Sequence, residues 1–109
     1  VEDAIKSLLS KKKQPDAILS AGDRITTVML PVLKKLNNST KKIAYMGFSN
    51  SDLTDLFTPS LSVIRQPAFE IGQMAMEQLI KIIESKRPIK EFTTKTFESK
   101  IIIKDSTKK

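Results

Sequence analysis

An α/β fold, with helices packed on a sheet, is predicted by three observations. Segments with a helical apolar period alternate with short apolar runs along the chain. The runs at residues 17–20 and 43–48 are too short for helices and suit buried parallel strands. The long period over residues 68–86 is that of an amphipathic helix.

Each element follows from local chemistry. Residues 2–13 form a first helix, with Ile5, Leu8 and Leu9 on one face and Glu2 and Asp3 complementing its N-terminal dipole. Gln14-Pro15-Asp16 ends it, because the residue before proline is driven toward extended conformations. Residues 17–20 make a strand. Asp23 then acts as an N-cap or first-turn residue, since its carboxylate can accept backbone N–H groups left unpaired there. A helix follows over 24–37, carried by Ile25, Val28, Met29, Val32, Leu33 and Leu36. Pro31 inside it removes one backbone bond, so a kink or a break is expected. Asn37-Asn38-Ser39 stops the helix. Residues 43–48 form the next strand, 52–57 a single helical turn and 61–64 a third strand, ended by Gln66-Pro67. The strongest helix is 68–86. Ile71, Ala75, Leu79, Ile82 and Ile83 make its stripe, and Arg87-Pro88 stops it. Residues 93–97 and 100–104 read as two strands joined near Glu98-Ser99, or as one long bent strand.

Composition narrows the function classes. The 109 residues contain neither cysteine nor histidine, which excludes Cys/His zinc sites, thiol nucleophiles and histidine-based triads. No apolar run approaches the ~20 residues needed to span a bilayer, so no membrane partner is expected. Val1 as first residue reads as the start of a piece of a longer chain. The net charge is +7, a value compatible with nucleic acid. However, the lysine clusters at 11–13, 34–35, 41–42 and 108–109 fall at element ends and carry no interleaved aromatics. Solvated ends explain them. With only Gly22, Gly47 and Gly72 in the chain, no phosphate-cradling glycine motif can form. Asp52 and Asp55 could share a helical face for acid–base work, but a helix N-terminus accounts for them. The chain is therefore expected not to be an enzyme and to hold neither metal nor cofactor.

Two turns remain. Ser20-Ala21-Gly22-Asp23-Arg24 and Gly47-Phe48-Ser49-Asn50 each follow a strand, and ligands of open α/β sheets gather at the carboxyl ends of strands. Both carry small polar groups able to hydrogen-bond a metabolite, although capping and turn chemistry alone could account for them.

At these turns a family resemblance becomes visible. The segment running from Pro15-Asp16-Ala17-Ile18 to Ala21-Gly22-Asp23-Arg24 resembles the "PDAI…ANDxxA" pattern of lactose-repressor (LacI/GalR-type) transcription regulators. Ile43-Ala44-Tyr45-Met46-Gly47-Phe48-Ser49-Asn50 is similar to their "xxVVGFDN". The stretch from Thr58-Pro59-Ser60-Leu61 to Ile64-Arg65-Gln66-Pro67 is similar to "TPxLTTIxQP". The likeness extends to the tail, Ile103-Lys104-Asp105-Ser106-Thr107.

The resemblance implies a type I periplasmic-binding-protein-like fold, a doubly wound parallel sheet, of which this chain holds part. Residues 1–60 would belong to the C-terminal lobe and 61–67 to a strand crossing between lobes. Residues 68–109 would be the last helix and strands, returning to the N-terminal lobe. It further implies a small, sugar-like effector bound between lobes, a homodimer, a cytoplasmic location, and operator DNA bound only through an N-terminal region outside this chain. Carried over by position, effector contacts fall on Gly22, Ser49 and Gln66, with Asp23 and Asn50 as neighbours able to substitute. Gly22 and Ser49 depart from the Asn and Asp of the patterns. A carboxylate clamps sugar hydroxyls with charge-assisted bonds, and these two residues cannot. Dimer contacts fall on Thr27, Leu30, Leu53, Leu56 and Phe57, where the apolar ones could equally be core. Effector binding would favour one lobe arrangement and so alter DNA binding through linkage. The rival reading is an exported solute-binding protein of a transporter, built on the same fold.

Overall fold

The structure is a computed structural model, and it describes residues 1–36, 43–88 and 91–108. The expected helix stop at 37–39 and the lysines at 41–42 lie outside these residues. The chain divides into two compact units, one formed by residues 1–65 with 100–108 and the other by 66–99.

The first unit contains α1 (Glu2–Leu9), β1 (Ala17–Ser20), α2 (Asp23–Leu36), β2 (Ala44–Phe48), a 3-10 turn (Asp52–Leu56), β3 (Ser62–Arg65), β4 (Lys100–Ile102) and a second 3-10 turn (Asp105–Thr107). The strands form one sheet in the order β1-β2-β3-β4. The first three are parallel, and β4 runs antiparallel to β3 with Val63 opposite Ile102. Side chains alternate across a strand, so Ile18, Tyr45, Val63 and Ile102 share one face. They meet Ile5 and Leu9 of α1 and Met29, Leu30, Val32 and Leu33 of α2 in a single apolar cluster. The opposite face carries Leu19 and Ile101, which are 62% and 64% exposed. Among the described residues both helices of this unit thus pack on one side of the sheet, and this part of the doubly wound arrangement has a single helical layer.

Several elements differ from the sequence expectation for identifiable reasons. The first helix ends at Leu9, not at residue 13. The side-chain amide of Gln14 donates to the carbonyl of Leu9, and Ser10 Oγ donates to that of Ser7, so the terminal carbonyls are satisfied before the lysine run begins. In α2 the buried residues are Thr26, Met29, Leu30, Val32 and Leu33, whereas Ile25 and Val28 are each 45% exposed. Met29, Val32 and Leu33 lie inward as expected, and Thr26 and Leu30 take the inward places expected of Ile25 and Val28. The helix continues through Pro31 without a break.

Residues 91–99 form no strand. Extended backbone becomes a strand only when a neighbouring edge takes up its N–H and C=O groups. By contrast, residues 100–108 belong to the first unit and not with the helix before them. Hydroxyl groups lock this tail in place. Ser106 Oγ accepts from the Ser62 N–H at 2.8 Å and donates to the Tyr45 carbonyl at 2.7 Å. Ser62 Oγ accepts from the Lys104 N–H at 2.7 Å, and the Ser106 N–H donates to the Ser60 carbonyl.

The second unit is built on α3 (Ala68–Ser85), which ends at Lys86 in a left-handed conformation, φ 51°. This is just before the expected stop at Arg87-Pro88. The left-handed turn closes the helix in the way glycine usually does. None of the side chains of α3 is buried.

Candidate functional site

The site grows out of the carboxyl ends of β1 and β2. These strands are neighbours, with Ser20 opposite Gly47, so the turns that leave them lie side by side at one edge of the sheet. In the first turn the Gly22 carbonyl accepts the Thr26 N–H at 2.9 Å. Gly22 is therefore the N-cap of α2, and Asp23 is a first-turn residue. Its carboxylate stands where the dipole favours negative charge. Gly22 is half-buried, and Asp23 and Arg24 are exposed.

In the second turn the Ser49 N–H donates to the Ile64 carbonyl of β3 at 3.2 Å. Ser49 Oγ accepts from the Ser51 N–H at 3.2 Å. Ser49 is only 3% exposed, so its hydroxyl braces the turn, and the exposed polar group here is Asn50. Ser51 in turn caps the following 3-10 turn by accepting from the Leu53 N–H.

Beneath both turns lies a residue that sequence reasoning did not single out. Thr26 is 1% exposed. Its Oγ1 is 2.6 Å from Ser20 Oγ, 2.8 Å from the Gly22 carbonyl oxygen and 2.9 Å from that of Phe48. A hydroxyl has one proton, and the carbonyls can only accept. The single proton of Thr26 is therefore shared between the two carbonyls, and Ser20 is the donor in the Ser20–Thr26 bond. Gly47 sits against this pair, and a Cβ built on it would overlap Ser20 Oγ and the Thr26 side chain. One cue was present in the sequence: Thr26 stands at the alanine of the "ANDxxA" pattern.

Four expected effector residues, Gly22, Asp23, Ser49 and Asn50, are thus brought together at one sheet edge. Gln66 follows β3 in the chain and opens the second unit, where its carbonyl accepts the Ala68 N–H. Asp52 and Asp55, the carboxylates weighed for acid–base work, form ion pairs with Arg65 and Lys104 respectively.

The residues expected at a dimer contact divide into two groups. Leu30 is 5% exposed and belongs to the core cluster. This corrects its assignment to an interface, because it takes an inward place on α2. Phe57 packs partly against the same core. Thr27 is exposed, with Oγ1 donating to the Asp23 carbonyl. Leu53 and Leu56 are 62% and 78% exposed.

Among the described residues no group of acidic side chains could hold a metal ion, and no helix is long and apolar enough to cross a membrane.

Residues 1–107 match the periplasmic binding protein-like domain family. The chain belongs to that family. The expected likeness to LacI-type regulators is borne out by its relatives and by its fold. It is 31% identical over 103 residues to the HTH-type transcriptional regulator RegA of Clostridium acetobutylicum, which covers 94% of this chain and 30% of RegA. It is 27% identical over 103 residues to the ribose operon repressor of Haemophilus influenzae, with the same coverage of 94% and 30%. Among solved structures it is similar to the periplasmic binding protein/LacI transcriptional regulator of Alkaliphilus metalliredigens QYMF, complexed with D-xylulofuranose. There the TM-score is 0.70 at 28% identity, over 96% of this chain and 38% of that one. The chain therefore spans about a third of the length of the relatives it matches.

Proposed function

We propose that this chain is the effector-sensing and dimerisation part of a LacI-type transcription regulator. In this reading the turns at Gly22-Asp23 and Ser49-Asn50 bind a small sugar in the cleft between lobes. The observation that carries the reading is the placement of both polar turns side by side at the carboxyl ends of adjacent parallel strands, the usual ligand position in such sheets. A relative that represses a ribose operon and a similar structure that holds D-xylulofuranose point to a pentose or pentulose.

The contacts differ from a carboxylate clamp. Ser49 is buried, so the exposed side chains of Asp23 and Asn50 make the side-chain hydrogen bonds to the sugar. Leu53 and Leu56 form the apolar centre of the dimer contact. DNA binding belongs to a region outside this chain, in a cytoplasmic protein. Sugar binding selects one lobe arrangement and changes DNA affinity by linkage.

Calorimetry of the full-length protein with D-ribose and D-xylulose tests the reading. Binding of at least one sugar is expected. Asp23→Ala and Asn50→Ala should each weaken it by about tenfold, the equivalent of one good polar contact. Both side chains are exposed, so neither change should disturb the fold. Affinities unaltered in both variants would contradict the reading.

A further inference from the structure

The buried hydroxyl pair beneath the two turns has a consequence for how they work. We propose that Thr26 is a positioning residue that holds both effector turns in one fixed register, with Ser20 as its partner and Gly47 as the gap that admits them. The proposal rests on the reading of these turns as the effector site.

Geometry supports it. Thr26 Oγ1 lies within hydrogen-bond distance of the Gly22 carbonyl in the first turn and of the Phe48 carbonyl, which immediately precedes Ser49 in the second. It is the hydroxyl of α2 that reaches across to the end of β2. Ser20 Oγ, at the last position of β1, donates to it at 2.6 Å. Three elements thus converge on one oxygen. Both hydroxyls are buried, where a hydrogen bond is not weakened by competing water and its loss leaves unpaired groups. Space is made for them by the missing side chain at Gly47, whose Cβ position they occupy. In the pattern this chain resembles, alanine stands at the Thr26 position and a side-chain amide at the Gly22 position. Here the first turn has lost its side chain and gained a hydroxyl beneath it. The turns are organised from below and not by a group in the cleft.

Thr26→Val removes the hydroxyl at nearly constant shape, Thr26→Ser keeps it, and Thr26→Ala provides a smaller replacement if valine prevents folding. Amide hydrogen exchange in the full-length protein is the direct measurement, and it needs no ligand. Thr26→Val and Thr26→Ala should speed exchange roughly tenfold in residues 20–27 and 46–53. Exchange in α1 should be unchanged, and Thr26→Ser should restore protection. Acceleration spread evenly over the sheet and α1, no acceleration at all, or no rescue by serine would overturn the proposal.

Calorimetry with D-ribose and D-xylulose is the second arm. If the parent protein binds either, Thr26→Val should weaken binding about tenfold and Thr26→Ser should restore it. Unchanged affinity in Thr26→Val would also overturn the proposal. Failure of the parent to bind either sugar would count against the effector reading alone, and hydrogen exchange would still decide the role of Thr26.

Discussion

Replacing Ser106 with alanine should destabilise the first unit far more than its size suggests. Ser106 is 5% exposed, and its hydroxyl bridges the Ser62 N–H and the Tyr45 carbonyl at 2.8 and 2.7 Å. It therefore joins β2 to the start of β3. Alanine fits the space but leaves one buried donor and one buried acceptor without this partner. Each such group costs about 1–3 kcal/mol. Ser62 is fully buried and Tyr45 nearly so, so water cannot replace the hydroxyl without opening the sheet. Two such groups together cost about 2–6 kcal/mol. With a urea slope of about 1–3 kcal/mol/M for a small protein, a loss in the middle of that range should lower the unfolding midpoint by roughly 2 M. Circular dichroism follows the transition. Ser10→Ala serves as control, because its hydroxyl makes a single exposed bond to Ser7, and its effect should stay within about 0.5 kcal/mol. A loss for Ser106→Ala no larger than that of the control would refute the view that the tail locks the sheet.

Three further outcomes are expected. Gly47→Ala should cost about 1–3 kcal/mol through overpacking against Ser20 and Thr26. The cost should shrink when Ser20→Ala and Thr26→Ala are added, and strictly additive losses in urea unfolding would contradict that packing. Burial raises the pKa of Tyr45 above its usual value near 10. Above pH ~10 the unfolded chain therefore binds fewer protons than the folded one, and stability present below that pH should fall as pH rises toward the folded value. Tyr45 is the only tyrosine of these 109 residues, which hold no tryptophan, so in a protein of these residues tyrosinate absorbance reads this titration directly, and a midpoint at or below 10 would be inconsistent. Finally, Leu53→Lys with Leu56→Lys should shift the full-length protein toward monomer in analytical ultracentrifugation with stability nearly unchanged, since both side chains are exposed. An unaltered dimer would place the interface elsewhere.

The parts of this structure legible in the sequence are those set by local periodicity. β1, β2, α2 and α3 follow from apolar spacing, and the two turns from their position after strands. Phase was not legible. Spacing alone could not distinguish a stripe through Ile25 and Val28 from one through Thr26 and Leu30, because the choice depends on which residues meet Tyr45 and Val63. Partnership was not legible either. Whether residues 93–97 become a strand depends on a neighbouring edge, whereas residues 100–102 find one in β3. The inward turn of Ser49 depends on the backbone carrying the Ser51 N–H to its hydroxyl. The Ser106 bridge joins residues far apart in sequence, and nothing in a run of Asp-Ser-Thr announces it. Thr26 lies between these cases: a hydroxyl within a buried stripe needs partners, and only the fold identifies them.

The most direct measurement is a crystal structure of the full-length protein grown with D-ribose or D-xylulose. Sugar hydroxyls should lie within hydrogen-bond distance of Asp23 and Asn50, at the carboxyl ends of β1 and β2. Sugar bound elsewhere, for example in the apolar depression of about 280 Å³ lined by Ala17, Leu19 and Met46, with both turns facing bare solvent, would contradict that placement.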